Sequence, residues 1–210
     1  MSPPTPAQRP YDPVVHLVDD EIAVRDALAF LFQSHGLPVR AYASGPEFLA
    51  AVDPLALAGC IVLDVRMEPM SGLQVHDTLV AQGIGVPVLF LTGHGDIPMA
   101  VEALKKGAFD FVEKPSGDVA LVERVQRALA VDAARQAADS REEETAARLA
   151  SLSEREREVM QRVAAGKLNK VIADELCISV RTVEVHRARV FGKLGVRSAA
   201  EVATLLARGR

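Results

Sequence analysis

Three acidic residues stand at the ends of two apolar stretches that are typical of buried strands. Asp64 closes the stretch that begins at Cys60, and Asp19 and Asp20 directly follow residues 14–18. Open α/β sheets place their chemistry at the carboxyl ends of the strands. If the two strands are neighbours, three carboxylates converge and repel one another, which predicts a bound cation. The simpler alternative is two separate strands that end in capping acids.

A hydroxyl and an ammonium group follow two further strand-like stretches. Thr92 comes directly after residues 86–91, and Lys114 follows residues 109–112. Taken alone, Thr92 is better explained as a helix cap and Lys114 as a surface cation. Together with the three acids they form a set of five polar side chains at strand ends, which favours one shared site.

This set suits phosphoryl transfer through a hydrated metal ion. Mg²⁺ prefers oxygen ligands and keeps several waters. The predicted metal ligands are Asp19, through a water, Asp20, Asp64 and the backbone carbonyl of Arg66. The Asp64 carboxylate would be the nucleophile that accepts a phosphoryl group. Lys114 would offset charge on the phosphoryl oxygens, and Thr92 would donate a hydrogen bond to one of them.

Composition places the chain among ordinary globular proteins. Of its 210 residues 49% are hydrophobic and 25% charged, and no apolar run approaches the ~20 residues that cross a membrane. The proline-rich residues 1–6 lack the apolar core of a signal peptide, so we expect a flexible lead-in. Cys60 and Cys177 are interpreted as small core residues in a reducing cytoplasm.

Charge is unevenly distributed along the chain. Residues 151–210 contain 12 Lys and Arg against 7 Asp and Glu, a net charge of +5, so the preceding 150 residues carry −9 of the total of −4. A basic small module joined to an acidic larger one suggests that one half handles cations or regulation and the other an anion such as DNA.

The first 130 residues alternate between strand-like and helix-like stretches. The strand-like stretches are 14–18, 37–42, 60–64, 86–91 and 109–112. The helical ones are a stretch from Ile22 that ends at Gly36, then 45–51, 71–82, 97–106 and 118–130. In the first helix Ile22, Leu28, Leu31 and Phe32 share one face. Five strands alternating with five helices predict a flavodoxin-like domain over 13–130, with a parallel sheet covered on both faces.

The remaining residues predict a helical linker and a small helical domain. Residues 131–150 lack Gly, Pro and nearly all large apolar side chains, which indicates a solvated helical linker that continues the preceding helix. Ser153 and Glu156 form a capping box at the start of the second domain, 151–210. Four short helices, with a tight turn near Cys177, favour an all-α helix-turn-helix domain. The alternative is a plain helical bundle that binds a protein.

Residues 13–130 resemble the receiver domain of two-component response regulators. The matching segments are residues 18–21, 63–67, 92–96 and 111–115. The resemblance implies that Asp64 accepts phosphate from a sensor histidine kinase, that Thr92 then moves toward the phosphate, and that Phe111 rotates inward. It also implies a homodimer formed through the face around 97–106 and 118–130. Two positions depart from the family. In the family a Pro commonly follows the Met of the Asp64 loop directly, whereas here Glu68 stands between that Met and Pro69. Ser116 stands where the family often has Phe.

Residues 151–208 resemble the LuxR-type helix-turn-helix of the NarL/FixJ family, closest to its FixJ branch. The matching segments are 152–159, 169–173 and 181–187. Val183 and Phe191, with Val190 or Leu194, suit the core of the recognition helix. The residues expected to contact promoter DNA are Lys170, Thr182, Val185, His186, Arg187, Arg189 and Lys193. RNA polymerase is a further possible partner.

The leading interpretation is a cytoplasmic transcriptional regulator, not an enzyme, that is switched by phosphorylation. An aspartyl-phosphate phosphohydrolase is the first alternative, but such enzymes need a second Asp two residues after the nucleophile, where this chain has Arg66. A receiver controlled by a partner without phosphorylation is the second alternative. The presence of all five polar residues at the strand ends argues against it.

Overall fold

The computed structural model describes residues 12–54, 56–93, 97–114 and 118–208, without the side chains of Ile97 and Arg208. Some sequence expectations lie outside these residues, namely the flexible lead-in, the segment 94–96 of one receiver motif, Pro115, and the departure at Ser116. The chain divides into two compact units between Gln136 and Ala137.

The first unit is a parallel sheet with helices between its strands. Its elements are β1 (Val14–Val18), α1 (Ile22–Ser34), β2 (Val39–Tyr42), α2 (Gly45–Ala51), β3 (Gly59–Asp64), α3 (Gly72–Ala81), β4 (Val88–Thr92), α4 (Ile97–Lys105), β5 (Asp110–Glu113) and α5 (Asp118–Ala150). The strand order is β2-β1-β3-β4-β5, and every pair is parallel. This order is that of flavodoxin-like folds, so the predicted fold class is confirmed.

Apolar side chains of the central strands alternate between two cores, because successive residues of a strand point to opposite faces. Ile61 and Leu63 of β3 join Phe90 and residues of α2 and α3 on one face. Cys60 and Val62 join residues of α1 and α5 on the other face. Both faces of the sheet are therefore covered, which explains why β3 and β4 are apolar up to their last residues, Asp64 and Thr92.

Two side chains expected inside lie in solvent. Ile22, the first residue of α1, is 67% exposed although the helical pattern placed it with Leu28 and Phe32. Cys177 is exposed as well, since it ends a helix with a left-handed backbone conformation, φ +53°. Only Cys60 is a buried core thiol.

A fully buried carboxylate ties α5 to the start of β3. Asp132 is 0% exposed and accepts a hydrogen bond of 2.7 Å from the backbone N–H of Gly59. The Arg135 guanidinium, one helical turn later, donates to the other carboxylate oxygen at 2.7 Å. Asp132 lies within the stretch expected to be a solvated linker, so the first unit extends beyond residue 130, and the helix continues to Ala150.

The second unit contains α6 (Glu154–Ala164), α7 (Asn169–Leu176), α8 (Val180–Leu194) and α9 (Ala199–Arg208). The predicted capping box is present, since Ser153 accepts from the Glu156 N–H while the Glu156 carboxylate accepts from the Ser153 N–H. Val159, Met160 and Val163 face a core that also contains Val183, Val190 and Leu194, while Phe191 is half-buried.

Among the described residues, no helix is long and apolar enough to span a membrane.

Replacing Asp132 with Ala should destabilise the first unit. The substitution removes the acceptor of the buried Gly59 N–H and one acceptor of the Arg135 guanidinium, at a cost of about 2–3 kcal/mol. Urea denaturation followed by circular dichroism measures the loss. Glu123→Ala, an exposed acid on the same helix, is the matched control and should change stability by less than about 0.5 kcal/mol. Equal stability of the two variants would contradict the structural role of Asp132.

Candidate functional site

A single ammonium group joins two buried carboxylates at the carboxyl edge of the sheet. Lys114 Nζ lies 2.7 Å from Asp19 Oδ2 and 2.6 Å from Asp64 Oδ1. Asp19 is 1% exposed and Asp64 is 7% exposed. Two carboxylates this deeply buried require a compensating charge, and Lys114 provides it for both.

Strand register explains how residues far apart in sequence meet at this edge. Val18 pairs with Leu63, so Asp19, directly after β1, and Asp64, the last residue of β3, lie level with each other. Lys114 follows β5, which is separated from β3 by β4. Its backbone N–H donates to the Thr92 carbonyl at 2.7 Å, and its long side chain extends past β4 to the acids. The sheet order therefore assembles the site, as the sequence predicted for neighbouring strands.

Backbone donors hold the second oxygen of each acid. Asp19 Oδ1 accepts from the Glu21 N–H at 2.9 Å, and Asp64 Oδ2 accepts from the Arg66 N–H at 2.8 Å. Burial raises the pKa of Asp64 above its ordinary value, the hydrogen bond from Lys114 opposes this shift, and nearby Asp19 adds to it. Burial lowers the pKa of Lys114, but its hydrogen bonds to the two acids outweigh this and the net shift is upward. Lys114 is therefore firmly cationic.

Two further acids lie close in sequence to Asp19 and Asp64. Asp20, expected as a metal ligand, is exposed next to the buried Asp19, and Glu68 is exposed in the loop after Asp64. This all-oxygen donor set fits Mg²⁺ rather than a softer metal. Within the described ranges, however, no three acidic, His or Cys side chains are arranged as a metal centre. Lys114 lies against two of the three expected acidic ligands, Asp19 and Asp64.

The two residues expected to respond to phosphorylation occupy the adjacent strands. Thr92 is the last residue of β4, and its side chain is buried at the edge of the sheet that carries Asp64. Phe111 lies in β5, half-buried, with its ring centroid 6.0 Å from that of Phe90. Partial burial leaves the Phe111 ring in contact with both the core and solvent.

One contact at this edge of the sheet was missed from the sequence alone. Arg25 donates from Nη1 to the backbone carbonyl of Asp19 at 2.7 Å, and so ties the first turn of α1 to the loop that carries the acids. The sequence feature that could have indicated this contact is the position of Arg25 in the first turn of α1, shortly after the acidic residues 19–21. Nothing in the apolar pattern distinguishes it from the other helix arginines.

In the second unit, α7 and α8 form the helix pair expected for DNA binding. Ser179 caps α8 by accepting from the Thr182 N–H, and Arg155 donates to the Leu176 carbonyl at 2.6 Å, which holds the end of α7. The expected DNA-contacting side chains Val185 and Arg189 of α8 and Lys170 of α7 are exposed, whereas Thr182 and His186 of α8 are partly buried.

Two of the expected phosphate contacts have partners inside the protein. Arg187 donates to Asn169 Oδ1 at 2.6 Å and lies 5.4 Å from the centre of the Phe191 ring. Lys193 Nζ lies 2.6 Å from the buried Glu156 carboxylate and 2.9 Å from the Ser151 carbonyl. Lys193 thus links α8 to the capping box of α6, a role that charge patterning did not suggest.

The fold and the site together define a class, a receiver domain joined to a helix-turn-helix domain. Family models agree, since the response regulator receiver domain matches residues 15–126 and the bacterial regulatory proteins of the luxR family match residues 150–206. The chain belongs to the NarL/FixJ family of two-component response regulators, which are DNA-binding transcriptional regulators.

Relatives span nearly the whole chain. The C4-dicarboxylate transport transcriptional regulatory protein DctR of Rhodobacter capsulatus is 52% identical over 193 residues, which cover 91% of this chain and 98% of that protein. FixJ of Azorhizobium caulinodans is 46% identical over 188 residues, covering 90% and 89%. The structure of the response regulator StyR superposes with a TM-score of 0.87 at 39% identity, covering 93% of this chain and 98% of that one.

The Lys193–Glu156 pair predicts that Lys193→Met destabilises the second unit without changing the salt dependence of DNA binding. Because Lys193 is partly exposed and its ion pair is screened, the loss should be about 1 kcal/mol. Thermal denaturation measures stability, and titration of a random-sequence duplex at several salt concentrations measures the slope. The exposed Lys170→Met is the control and should reduce the slope by about 1. A reduced slope for Lys193→Met would show that Lys193 contacts phosphate instead.

Proposed function

We propose that Asp64 is the residue that accepts the phosphoryl group in this response regulator. The observation that carries the proposal is the Lys114 ammonium within 2.6 Å of Asp64 and 2.7 Å of Asp19 at one edge of the sheet. Asp64 is the acid at the end of the central strand, and Lys114 is placed to contact a phosphoryl oxygen once the transferred group lies on Asp64. Burial of the carboxylate, which raises its pKa, increases its basicity as a nucleophile.

The transfer needs no base, because the nucleophile is already an anion. A carboxylate oxygen of Asp64 forms the new O–P bond while the N–P bond of a kinase phosphohistidine breaks, and the electron pair of that bond stays on the imidazole, which takes up a proton. With acetyl phosphate as donor, an O–P bond breaks and acetate leaves. Lys114 stabilises charge on the phosphoryl oxygens, and Thr92 donates a hydrogen bond to one of them.

Mg²⁺ is the metal ion that the donor set of this edge favours. Asp19, Asp20, Asp64 and the backbone carbonyl of Arg66 would hold it, and the ion would supply charge neutralisation for the incoming phosphoryl group. Glu68 adds an exposed acid close in sequence to Asp64, and we expect it to influence metal affinity or the lifetime of the phosphate.

Phosphorylation would then promote dimerisation through α4 and the first part of α5. Three large apolar side chains there are exposed: Val101 (44%), Leu104 (46%) and Val119 (68%). Exposed apolar side chains concentrated on neighbouring elements indicate a protein-binding surface. Inward rotation of Phe111, whose strand lies between these helices in sequence, would alter this surface.

Promoter binding is assigned to the exposed side of α8 and to Lys170. Val185 and Arg189 are exposed on α8, with Thr182 and His186 partly accessible beside them. These side chains suit contacts to base edges in a major groove, while Lys170 suits a phosphate. Arg187 retains further N–H groups for phosphate beyond its bond to Asn169. A sensor histidine kinase is the proposed donor and RNA polymerase a proposed further partner.

Asp64→Asn should abolish labelling by acetyl phosphate in the presence of Mg²⁺, because an amide oxygen is a far weaker nucleophile than a carboxylate. Intact-protein mass spectrometry reports the phosphoryl adduct directly. Asp26→Asn, an exposed acid on α1, is the matched control and should label as the wild type does. Full labelling of Asp64→Asn would show that Asp64 is not the residue that accepts the phosphoryl group. Sustained release of phosphate from small phosphomonoesters by the wild type would favour the phosphohydrolase alternative.

Leu104→Asp should prevent dimerisation while leaving phosphorylation intact. The new carboxylate places a charge on the apolar surface of α4, where its desolvation opposes association. Size-exclusion chromatography with and without beryllofluoride measures the monomer–dimer shift. Phe30→Asp, 74% exposed on α1, is the matched control and should dimerise normally. A dimer that persists in Leu104→Asp would place the interface elsewhere.

A further inference from the structure

The C-terminal ends of α5 and α8 exchange basic side chains within the second unit. Arg148, in the last turn of α5, donates from Nη1 to the backbone carbonyl of Leu194, the last residue of α8, at 3.2 Å. Lys193, in the last turn of α8, donates to the carbonyl of Ser151, directly after α5, at 2.9 Å. Each helix therefore supplies a cation to the end of the other, and we call these two contacts the clasp.

The clasp satisfies an electrostatic requirement of the two helix ends. The last carbonyls of a helix have no partner within that helix, and its aligned peptide dipoles leave partial negative charge there. Two such ends placed close together repel each other unless donors lie between them. A cation at a helix C-terminus donates to a free carbonyl and also offsets the partial charge. Arg148 and Lys193 each do both, and they therefore stabilise the end of α5 beside the end of α8.

Neighbouring residues orient Arg148 for its contact with α8. Its Nη2 lies 2.7 Å from the Glu144 carboxylate, one helical turn earlier, and this pair restricts the guanidinium. Gly195 ends α8 with a left-handed backbone conformation, φ +68°, and a Cβ at that position would lie 3.1 Å from Arg148 Nη1. The missing side chain of Gly195 therefore leaves room for the guanidinium. Leu149, the next residue of α5, packs against the core of the second unit.

Arg148 lies outside the segment that the luxR-family model covers. That model matches residues 150–206, whereas Glu144 and Arg148 precede it, in the polar stretch expected to be a solvated linker. The second compact unit nevertheless begins at Ala137. The last turns of α5 are therefore part of the unit that contains the helix-turn-helix.

We propose that Arg148 is a positioning residue for DNA recognition, which fixes the end of α8 and thereby sets the preference of the chain for its target sequence. This role rests on the proposed assignment of base contacts to α8. Such contacts depend on how a helix lies in the major groove, because hydrogen bonds to base edges require exact placement. Arg189, an expected contact, precedes Leu194 on the same helix. Arg148 acts through Leu194 and needs no contact with DNA.

Arg148→Met in the full chain tests this role with two DNA duplexes, one that the wild type enriches from a random-sequence pool and one with that sequence scrambled. We expect the variant to bind the enriched duplex about tenfold more weakly, the cost of one misplaced base contact, and the scrambled duplex within about twofold of the wild type. The salt dependence of binding should not change, because no phosphate contact is lost. Equal weakening on both duplexes, with a salt slope reduced by about 1, would show that Arg148 contacts phosphate instead. An unchanged preference would also overturn the proposal.

Arg141→Met is the matched control for the loss of a positive charge. Arg141 is an exposed arginine of the same helix, two turns before Arg148. Its variant should keep the wild-type preference for the enriched duplex. A loss of preference as large as that of Arg148→Met would attribute the effect to the charge of α5 rather than to the clasp.

Hydrogen exchange of the DNA-free chain separates positioning from a general loss of stability. The N–H groups of Gly195 and Val196 both donate to the Phe191 carbonyl, so their exchange reports the order of the end of α8. In Arg148→Met these two amides should exchange at least about threefold faster, while amides in the middle of α6 keep their rates. Uniformly faster exchange throughout the second unit would show that Arg148 only stabilises the unit.

Arg189→Ala distinguishes a failure of the proposed base contacts from a failure of the clasp. If α8 reads the bases, this variant should bind the enriched duplex about tenfold more weakly. A wild-type preference in Arg189→Ala and in Arg148→Met would overturn both the assignment of α8 and the role of Arg148 in recognition. A preference lost in Arg189→Ala but kept in Arg148→Met would overturn the role of Arg148 alone.

Discussion

Lys114 is the group on which the arrangement of the carboxyl edge depends. It lies between Asp19 and Asp64, two acids that are almost completely removed from water. Without a cation, two buried carboxylates at adjacent strand ends would repel each other and the sheet edge would be destabilised. The same ammonium would also contact a phosphoryl group, because the proposed transfer to Asp64 adds negative charge within its reach. Under that proposal, one positive charge stabilises the sheet edge before phosphorylation and binds the phosphoryl group afterwards.

Buried acids elsewhere in the chain obey the same constraint and join elements in each unit. Asp132 connects α5 to the start of β3 through the Gly59 N–H. Glu156 caps α6 and binds Lys193 of α8, so the helix proposed to read DNA is fastened to the first helix of its own unit. Each acid has donors for its oxygens, as burial demands. The chain thus uses its few buried charges to set the positions of elements that function depends on.

Much of the fold and the core of the site followed from the sequence, because apolar runs that end in Gly, Pro or an acid mark interior strands strongly. Asp64, Asp19, Thr92 and Lys114 all lie where the strand ends placed them. The predictions that were wrong concern the burial of single side chains, because a local sequence pattern carries no information about which residues pack against them. Ile22 fitted a helical face whose other apolar residues meet the core while Ile22 itself lies in solvent, and Cys177 ends a helix in solvent. Asp132 lay in a polar stretch that gave no sign of its burial.

What the sequence by itself determined was the kind of elements, their order, and which residue types stand at their ends. These depend on hydrophobic period, capping side chains and turn residues, which are local properties. Only the tertiary structure decided that Lys114 lies against both Asp19 and Asp64. It also decided that Lys193 pairs with Glu156 and that His76 lines a cavity. Those contacts join residues up to 95 positions apart, and they depend on strand order and side-chain reach, which no local pattern specifies.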